Sequence, residues 1–234
     1  MKRCLSVGVV CLFAVGFVGC GGKSGSSPTS PTQTQTQANR SPVINSMDVS
    51  PSFGVAQLTS FAFSASASDP DGDSVTYAWD LAGSAYSGTS GSMTFSNGAE
   101  GARLTVSDGK GGSTSETRAF VVASPAGSWN GSVDLSSCLG YSKVMTATLS
   151  QNLTVVTGTV GLPAGLCSFQ PGTAVTDPAE PGKIDANGNV TIRIKIPPYT
   201  DVTFKGAIDS TGRRMSGGLY GSGHTGTPVV LTKQ

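Results

Sequence analysis

The sequence is 234 residues long, with 12% charged residues, 32 glycines and a formal net charge of +1, enough chain for two cores of about 80 to 110 residues each. That balance suits short strands and frequent turns and argues against long surface helices. With no basic run, and with aromatic residues scattered singly through apolar segments, it offers nucleic acid neither an electrostatic footprint nor a stacking platform.

Met1, Lys2 and Arg3 precede an apolar stretch, residues 5–18, too short to span a bilayer comfortably. This is the layout of a signal peptide over residues 1–19, and setting it aside leaves a formal charge of −1. Phe17-Val18-Gly19-Cys20 resembles the lipobox of bacterial lipoproteins. The resemblance implies that Cys20 receives a diacylglycerol thioether and becomes the first residue of the mature chain. The alternative is an ordinary secretory signal in which Cys20 is incidental. Each buried acyl methylene contributes about 0.8 kcal/mol, so two chains suffice for a stable anchor. Gly21, not Asp, follows Cys20, and similarity to lipoprotein sorting in two-membrane bacteria implies the outer membrane. After Cys20, residues 21–41 hold no large apolar side chain and read as a disordered tether averaging roughly 25 Å end to end.

Residues 42–124 alternate with period 2. Phe61, Phe63, Ala65 and Ala67 share one face, and Val75, Tyr77, Trp79 and Leu81 another. Further strands are predicted at residues 43–49, 92–95, 102–107 and 115–122, separated by Asp, Gly, Asn and Ser clusters. Six or seven short strands around a Trp predict an immunoglobulin-like sandwich without the inter-sheet disulfide of antibody domains. The run from Asp69-Pro70-Asp71-Gly72-Asp73 to Trp79-Asp80, followed by Leu104-Thr105-Val106-Ser107-Asp108-Gly109, resembles the polycystic-kidney-disease (PKD) repeat and its cadherin-like bacterial relatives. That resemblance implies a spacer, or a carbohydrate- or protein-binding accessory. Asp69, Asp71 and Asp73, with Asp108 from another loop, are spaced to offer oxygen ligands to calcium. Asp-Pro-Asp-Gly is equally a type I turn that needs no metal.

Residues 125–234 continue the alternation: Met145, Ala147 and Leu149; Val156 and Val160; Val190, Ile192, Ile194 and Ile196; then Val202, Phe204 and Ile208, Met215 and Leu219, Val229 and Leu231. Turns are predicted at residues 185–189 and 209–212. Seven or eight strands joined in sequence by short turns predict an antiparallel up-and-down β-barrel, making the whole chain all-β. Gly127-Ser128-Trp129 and the later Gly-rich strands resemble lipocalin-like and avidin-like barrels, which implies a lumen lined by Met145, Ile192, Ile194 and Phe204 that is either a ligand pocket or simply packed.

Cys138 and Cys167 are the cysteines left after signal removal and lipidation, and in an exported domain a disulfide is their natural pairing. The sole imidazole, His224, stands in a Gly-Ser-Gly-His-Thr-Gly turn with no nucleophile elbow, zinc-protease motif or P-loop around it. Tyr199, His224 and the acids read as surface or turn residues. The sequence thus predicts a non-enzymatic, lipid-anchored envelope protein that requires no cofactor. Its expected partners are the membrane, through the anchor, and a cell-surface polysaccharide or protein. Two other readings stay open: a lipocalin-like carrier of a small apolar ligand, and an accessory subunit of a hydrolase.

Overall fold

The computed structural model describes residues 37–96, 98–136, 140–162, 172–197 and 200–234, with Gly172 and Thr173 described as backbone only. Cys20, Cys138, Cys167 and Tyr199 lie outside the described residues. Residues 38–234 form one compact unit, and among the described residues the extended elements are seventeen β-strands.

The first eight are β1 (Val43–Ser50), β2 (Phe53–Val55), β3 (Ser60–Ser68), β4 (Thr76–Leu81), β5 (Ser84–Ser87), β6 (Ser90–Thr94), β7 (Ala99–Ser107) and β8 (Ser113–Ala123). They make two sheets, β1-β3-β6 and β2-β8-β7-β4-β5, antiparallel except for β2 beside β8. The alternation predicted from sequence decides which side chains meet between them: Phe61 and Phe63 from β3, Trp79 and Leu81 from β4, Leu104 and Val106 from β7, and Phe120 from β8 are buried in one cluster. Phe61, Phe95 and Phe120 stack mutually with centroids 5.1–5.7 Å apart, a separation at which aromatic pairs add to simple burial. The Trp79 indole packs on Phe63 at 5.1 Å and donates its N–H to the Gly88 carbonyl at 2.9 Å. This is an Ig-like sandwich.

Ser124, Pro125 and Ala126 separate β8 from β9 (Gly127–Asp134). Then follow β10 (Ser142–Asn152), β11 (Val155–Leu162), β12 (Gly172–Thr176), β13 (Gly182–Ile184), β14 (Asn189–Lys195), β15 (Val202–Ile208), β16 (Arg214–Gly221) and β17 (His224–Lys233). Sequential antiparallel pairing runs from β9 through β10, β11, β12, β14, β15 and β16 to β17. β17 pairs back on β9, so eight strands close a barrel, and β13 bridges β11 and β14 in the gap β12 leaves. Two glycines allow the tight curl. A Cβ on Gly131 would stand 1.9 Å from the Val230 carbonyl oxygen, and one on Gly158, at φ +151, would stand 2.1 Å from the Thr148 carbonyl oxygen.

The barrel interior is filled by its own side chains. Met145, Ile192, Ile194 and Phe204 are only 1–3% exposed and belong to one buried cluster with Trp129, Val133, Leu149, Val160, Leu219 and Leu231. At such exposures no water-sized space adjoins these four residues, so they form a packed core rather than the lining of a lumen. Trp129 donates its indole N–H to the Pro125 carbonyl at 2.7 Å, and Lys233 lies over its ring with Nζ 5.5 Å from the centroid. Burying such a ring contributes about 1.5–3 kcal/mol.

The sandwich closes one end of the barrel. Val55 and Ala123 are fully buried members of the barrel's cluster, with Phe53 and Leu58 packed against it. Gln151 at the end of β10 donates to the Ala56 carbonyl at 2.8 Å, the Leu153 N–H donates to Gln57 Oε1 at 2.6 Å, and Lys233 Nζ donates to the Ser124 carbonyl at 2.9 Å. Polar groups that would be stranded at this apolar junction are therefore paired.

Candidate functional site

Strand direction divides the barrel's connections into two sets. The turns at residues 152–155, 185–189 and 209–214 stand at the end facing the sandwich, where Gly188 approaches Phe53 and Gly212 approaches Val121 and Ala123. Strands β9, β11, β14 and β16 end at the opposite, far rim, the arrangement by which a rigid scaffold presents variable loops.

The far rim carries exposed tyrosines backed by cations. Tyr141 is 55% exposed with Lys143 Nζ 5.5 Å from its ring centroid, and Tyr220 is 42% exposed with Lys205 Nζ at 5.4 Å. Their faces suit apolar contact and their hydroxyls suit hydrogen bonding, the amphipathic combination favoured at recognition surfaces. Val144 and Val175, both exposed, add methyl groups to the wall below. At the β16–β17 turn, Ser222 Oγ donates to the Thr200 carbonyl at 2.8 Å, and the Ser222 and Thr200 hydroxyls are themselves hydrogen-bonded. Ser222 adopts φ 51° there. His224 opens β17 as a buried residue, its Nδ1 2.7 Å from Thr227 Oγ1. Burial lowers its pKa and keeps the ring neutral.

Beside the rim, Arg193 on β14 bridges Glu180, Asp201 at 3.0 Å and Asp177 at 3.6 Å, and Lys195 stands 3.5 Å from Asp177. Burial opposes the charge on Asp177, but the Ala179 N–H, Lys195 and Arg193 outweigh it and hold the carboxyl below its ordinary range. The hydrogen bond that Arg193 donates to Glu180 is the main reason that the guanidinium is held still more firmly protonated. Residue types made this patch hard to foresee, because its members come from three segments; the alternating Arg193 and Lys195 on the outer face of β14 were its one local signal.

The four aspartates read as calcium ligands lie at the opposite end of the unit, in the β3–β4 and β7–β8 loops. Asp69 Oδ1 accepts from the N–H groups of Asp71 and Asp73, at 2.8 and 3.3 Å. Asp71 is engaged by the Arg40 main-chain N–H and guanidinium, at 2.7 and 2.8 Å, and Asp73 by Lys110 at 2.6 Å. Asp108 accepts from the Asn39 amide at 2.7 Å and from the N–H groups of Lys110 and Gly112. The Arg40 backbone hydrogen bond is the largest influence lowering the Asp71 pKa; for Asp108 it is the Asn39 side chain. Among the described residues, no three carboxylate, imidazole or thiol groups converge where a metal could be held. The Asp-Pro-Asp-Gly segment is thus a turn cross-linked by cations. A shallow cleft between β7–β8 and residues 211–213, crossed by the Arg213–Glu100 ion pair at 3.2 Å, is a concave surface near the junction.

Comparison with known proteins adds the following. No curated protein matches the sequence significantly. A solved structure described as the basis for the promiscuous specificity of carbohydrate-binding modules from the β-sandwich superfamily aligns over 83% of this chain and 85% of its own, at 18% identity and a TM-score of 0.35, a likeness too distant to bear on function here. The family model of the bacterial Ig domain matches residues 39–121, the segment that folds as the sandwich.

Proposed function

We propose that this chain is a non-enzymatic, lipid-anchored protein of the bacterial cell envelope, in which Cys20 holds the membrane, the residues between Cys20 and Ala38 are the tether, and the Ig-like domain is a stalk carrying the barrel. The observation that supports it most is the order of parts. Asn39 and Arg40 enter the sandwich at one end, while its other end is built into the barrel core through Val55 and Ala123. The far rim, with Tyr141 and Tyr220, is then the end of the unit opposite the entry of the chain at Asn39 and Arg40. Exposed tyrosines, hydroxyls and few uncompensated charges suit a polysaccharide or protein surface at the outer membrane. The packed residues Met145, Ile192, Ile194 and Phe204 weigh against the carrier reading.

The test is fractionation and intact-mass measurement of the full chain expressed in a two-membrane bacterium. The expected result is an acylated species in the outer-membrane fraction, with Cys20→Ser moving the protein to the soluble fraction. Binding is read by affinity electrophoresis against purified envelope polysaccharides, where Tyr141→Ala and Tyr220→Ala should abolish any retardation. An unacylated wild-type chain, or retardation indifferent to both tyrosines, would sink the anchor or the rim respectively.

A further inference from the structure

We propose that the ligand of the far rim is an acidic polysaccharide, whose carboxylates are met by Lys183 and Lys205 and whose sugar rings rest on Tyr220. This rests on the rim reading given above and narrows it to one chemical class. Strand register sets the two lysines in one row on the outside of the barrel. Lys183 of β13 lies opposite Thr191 of β14, Thr191 opposite Lys205 of β15, and Lys205 opposite Gly218 of β16. With neighbouring strands about 4.8 Å apart, the two lysine backbones stand roughly 10 Å from one another. Both lysines are exposed, and among the described residues neither has a carboxylate within ion-pair reach. The acids of this wall are engaged elsewhere. Nearer the rim, Asp177, Glu180 and Asp201 hold Arg193 and Lys195. At the sandwich end, Asp185 and Asp209 accept from groups of their own turns.

The aromatic half of the site adjoins this row. Lys205 Nζ stands 5.4 Å from the centroid of the exposed Tyr220 ring. A Cβ on Gly226 would come within 3.4–3.7 Å of Tyr220 Oη and ring carbons, so the ring lies along bare β17 backbone. Gly218 likewise adds no side chain beside Lys205. A sugar can therefore lay its C–H face against the Tyr220 ring while its carboxylate takes a charge-assisted hydrogen bond from Lys205. The charge is also confined to this side of the barrel. On β9 and β10 the outward residues Ser128, Asn130, Ser132, Thr146, Thr148 and Ser150 are all uncharged. A neutral glycan has no electrostatic reason to prefer one wall over the other, whereas an anionic one is drawn to the lysine row.

The experiment is titration calorimetry of the full chain in detergent against polygalacturonate, its methyl ester and polyglutamate. Wild type should bind polygalacturonate, more weakly as ionic strength rises from about 0.02 M to about 0.3 M. The ester lacks the charge and polyglutamate lacks the sugar ring, so each should bind about tenfold more weakly or worse. Lys183→Gln, Lys205→Gln and Tyr220→Ala should each weaken polygalacturonate binding about threefold or more. Arg103→Gln removes the same charge from an exposed position on the sandwich and should leave binding unchanged. Melting curves check that every variant is folded. Equal affinity for the acid and its ester overturns the acidic assignment and leaves the rim reading standing. Equal affinity for polyglutamate gives the row to an acidic protein and overturns the polysaccharide. An equal loss in Arg103→Gln reduces the attraction to net charge and overturns the site. No binding of polygalacturonate overturns the proposal as well, and a neutral envelope polysaccharide retarded through Tyr220 would then keep the rim reading alone.

Discussion

Gln57 and Gln151 each grip the backbone beside the other across the junction: the Gln57 amide carbonyl accepts from Leu153 N–H at 2.6 Å, and the Gln151 amide donates to the Ala56 carbonyl at 2.8 Å. Ser124 Oγ donates to Gln151 Oε1 at 2.7 Å, closing the set. Because the sandwich lends Val55 and Ala123 to the barrel core, the two β domains should unfold in one calorimetric transition. Gln151→Ala leaves the Ala56 carbonyl unpaired and should cost about 1–3 kcal/mol. The double variant Gln57→Ala/Gln151→Ala should cost less than the sum of the single effects, as expected for residues sharing one network.

Trp129 should dominate barrel stability. It is 1% exposed, donates to Pro125 and lies under Lys233. Trp129→Ala should lower unfolding free energy by about 3–5 kcal/mol in denaturant titrations, whereas Trp129→Phe should lose less. Equal losses for the two variants would show that the ring does not matter.

Replacing Gly131 tests barrel closure. The Cβ of Gly131→Ala meets backbone, the Val230 carbonyl oxygen at 1.9 Å, which cannot rotate away, so β9 and β17 must separate. A loss of about 1–3 kcal/mol is expected, with faster amide exchange along both strands. Unchanged exchange in β17 would contradict the closing pair.

Acid stability should fall in two stages. His224 is kept neutral by burial, with a folded pKa below its ordinary value of 6.5. Its contribution is therefore complete above about pH 6.5 and is lost as the pH falls from there toward the lower folded value, where the unfolded state binds the extra proton. His224→Gln should flatten that limb. A second loss should follow below about pH 4. There Asp185 and Asp209 act, each with its folded pKa lowered. For Asp185 the chief cause is the Asn189 side chain. For Asp209, burial works the other way and is outweighed by hydrogen bonds from Thr211 and Arg214. The check is the denaturation midpoint from pH 8 to pH 2 in both proteins.

Cys138 and Cys167, both outside the described residues, fall in the sequence between β9 and β10 and between β11 and β12. A disulfide there should reduce the intact mass by two hydrogens. It closes a loop of about 30 residues, and reducing it should cost roughly 3–4 kcal/mol on the chain-entropy account. An unchanged melting point in reductant would remove the bridge.

The strands with clear alternation were legible: β3, β4, β10, β14 and β15 carry their buried residues where period 2 puts them, because one face of each meets a core and the other meets water. The three-residue strands β2 and β13 were not, since so few residues show no period, and β2 in addition pairs with a strand far off in sequence. Nor was the junction. Phe53, Val55, Gln57 and Gln151 come together only through the fold, and the one local hint was that residues 121–125, Val-Val-Ala-Ser-Pro, are apolar where a flexible linker would be polar. The Asp69–Gly72 turn is closed by the Gly72 N–H on the Asp69 carbonyl, but the aspartates' partners Arg40 and Lys110 lie about 30 or more residues away along the chain, beyond what spacing can show.

The stoppered end of the barrel gives the molecule an evolutionary polarity. A change of length at residues 152–155, 185–189 or 209–214 must be accommodated against Phe53, Val121 or Ala123, whereas the opposite rim has no such neighbour domain among the described residues. Inserted loops, altered specificities and engineered epitopes should therefore be tolerated on one end of the barrel and rejected on the other, a lopsidedness set by where the sandwich plugs in.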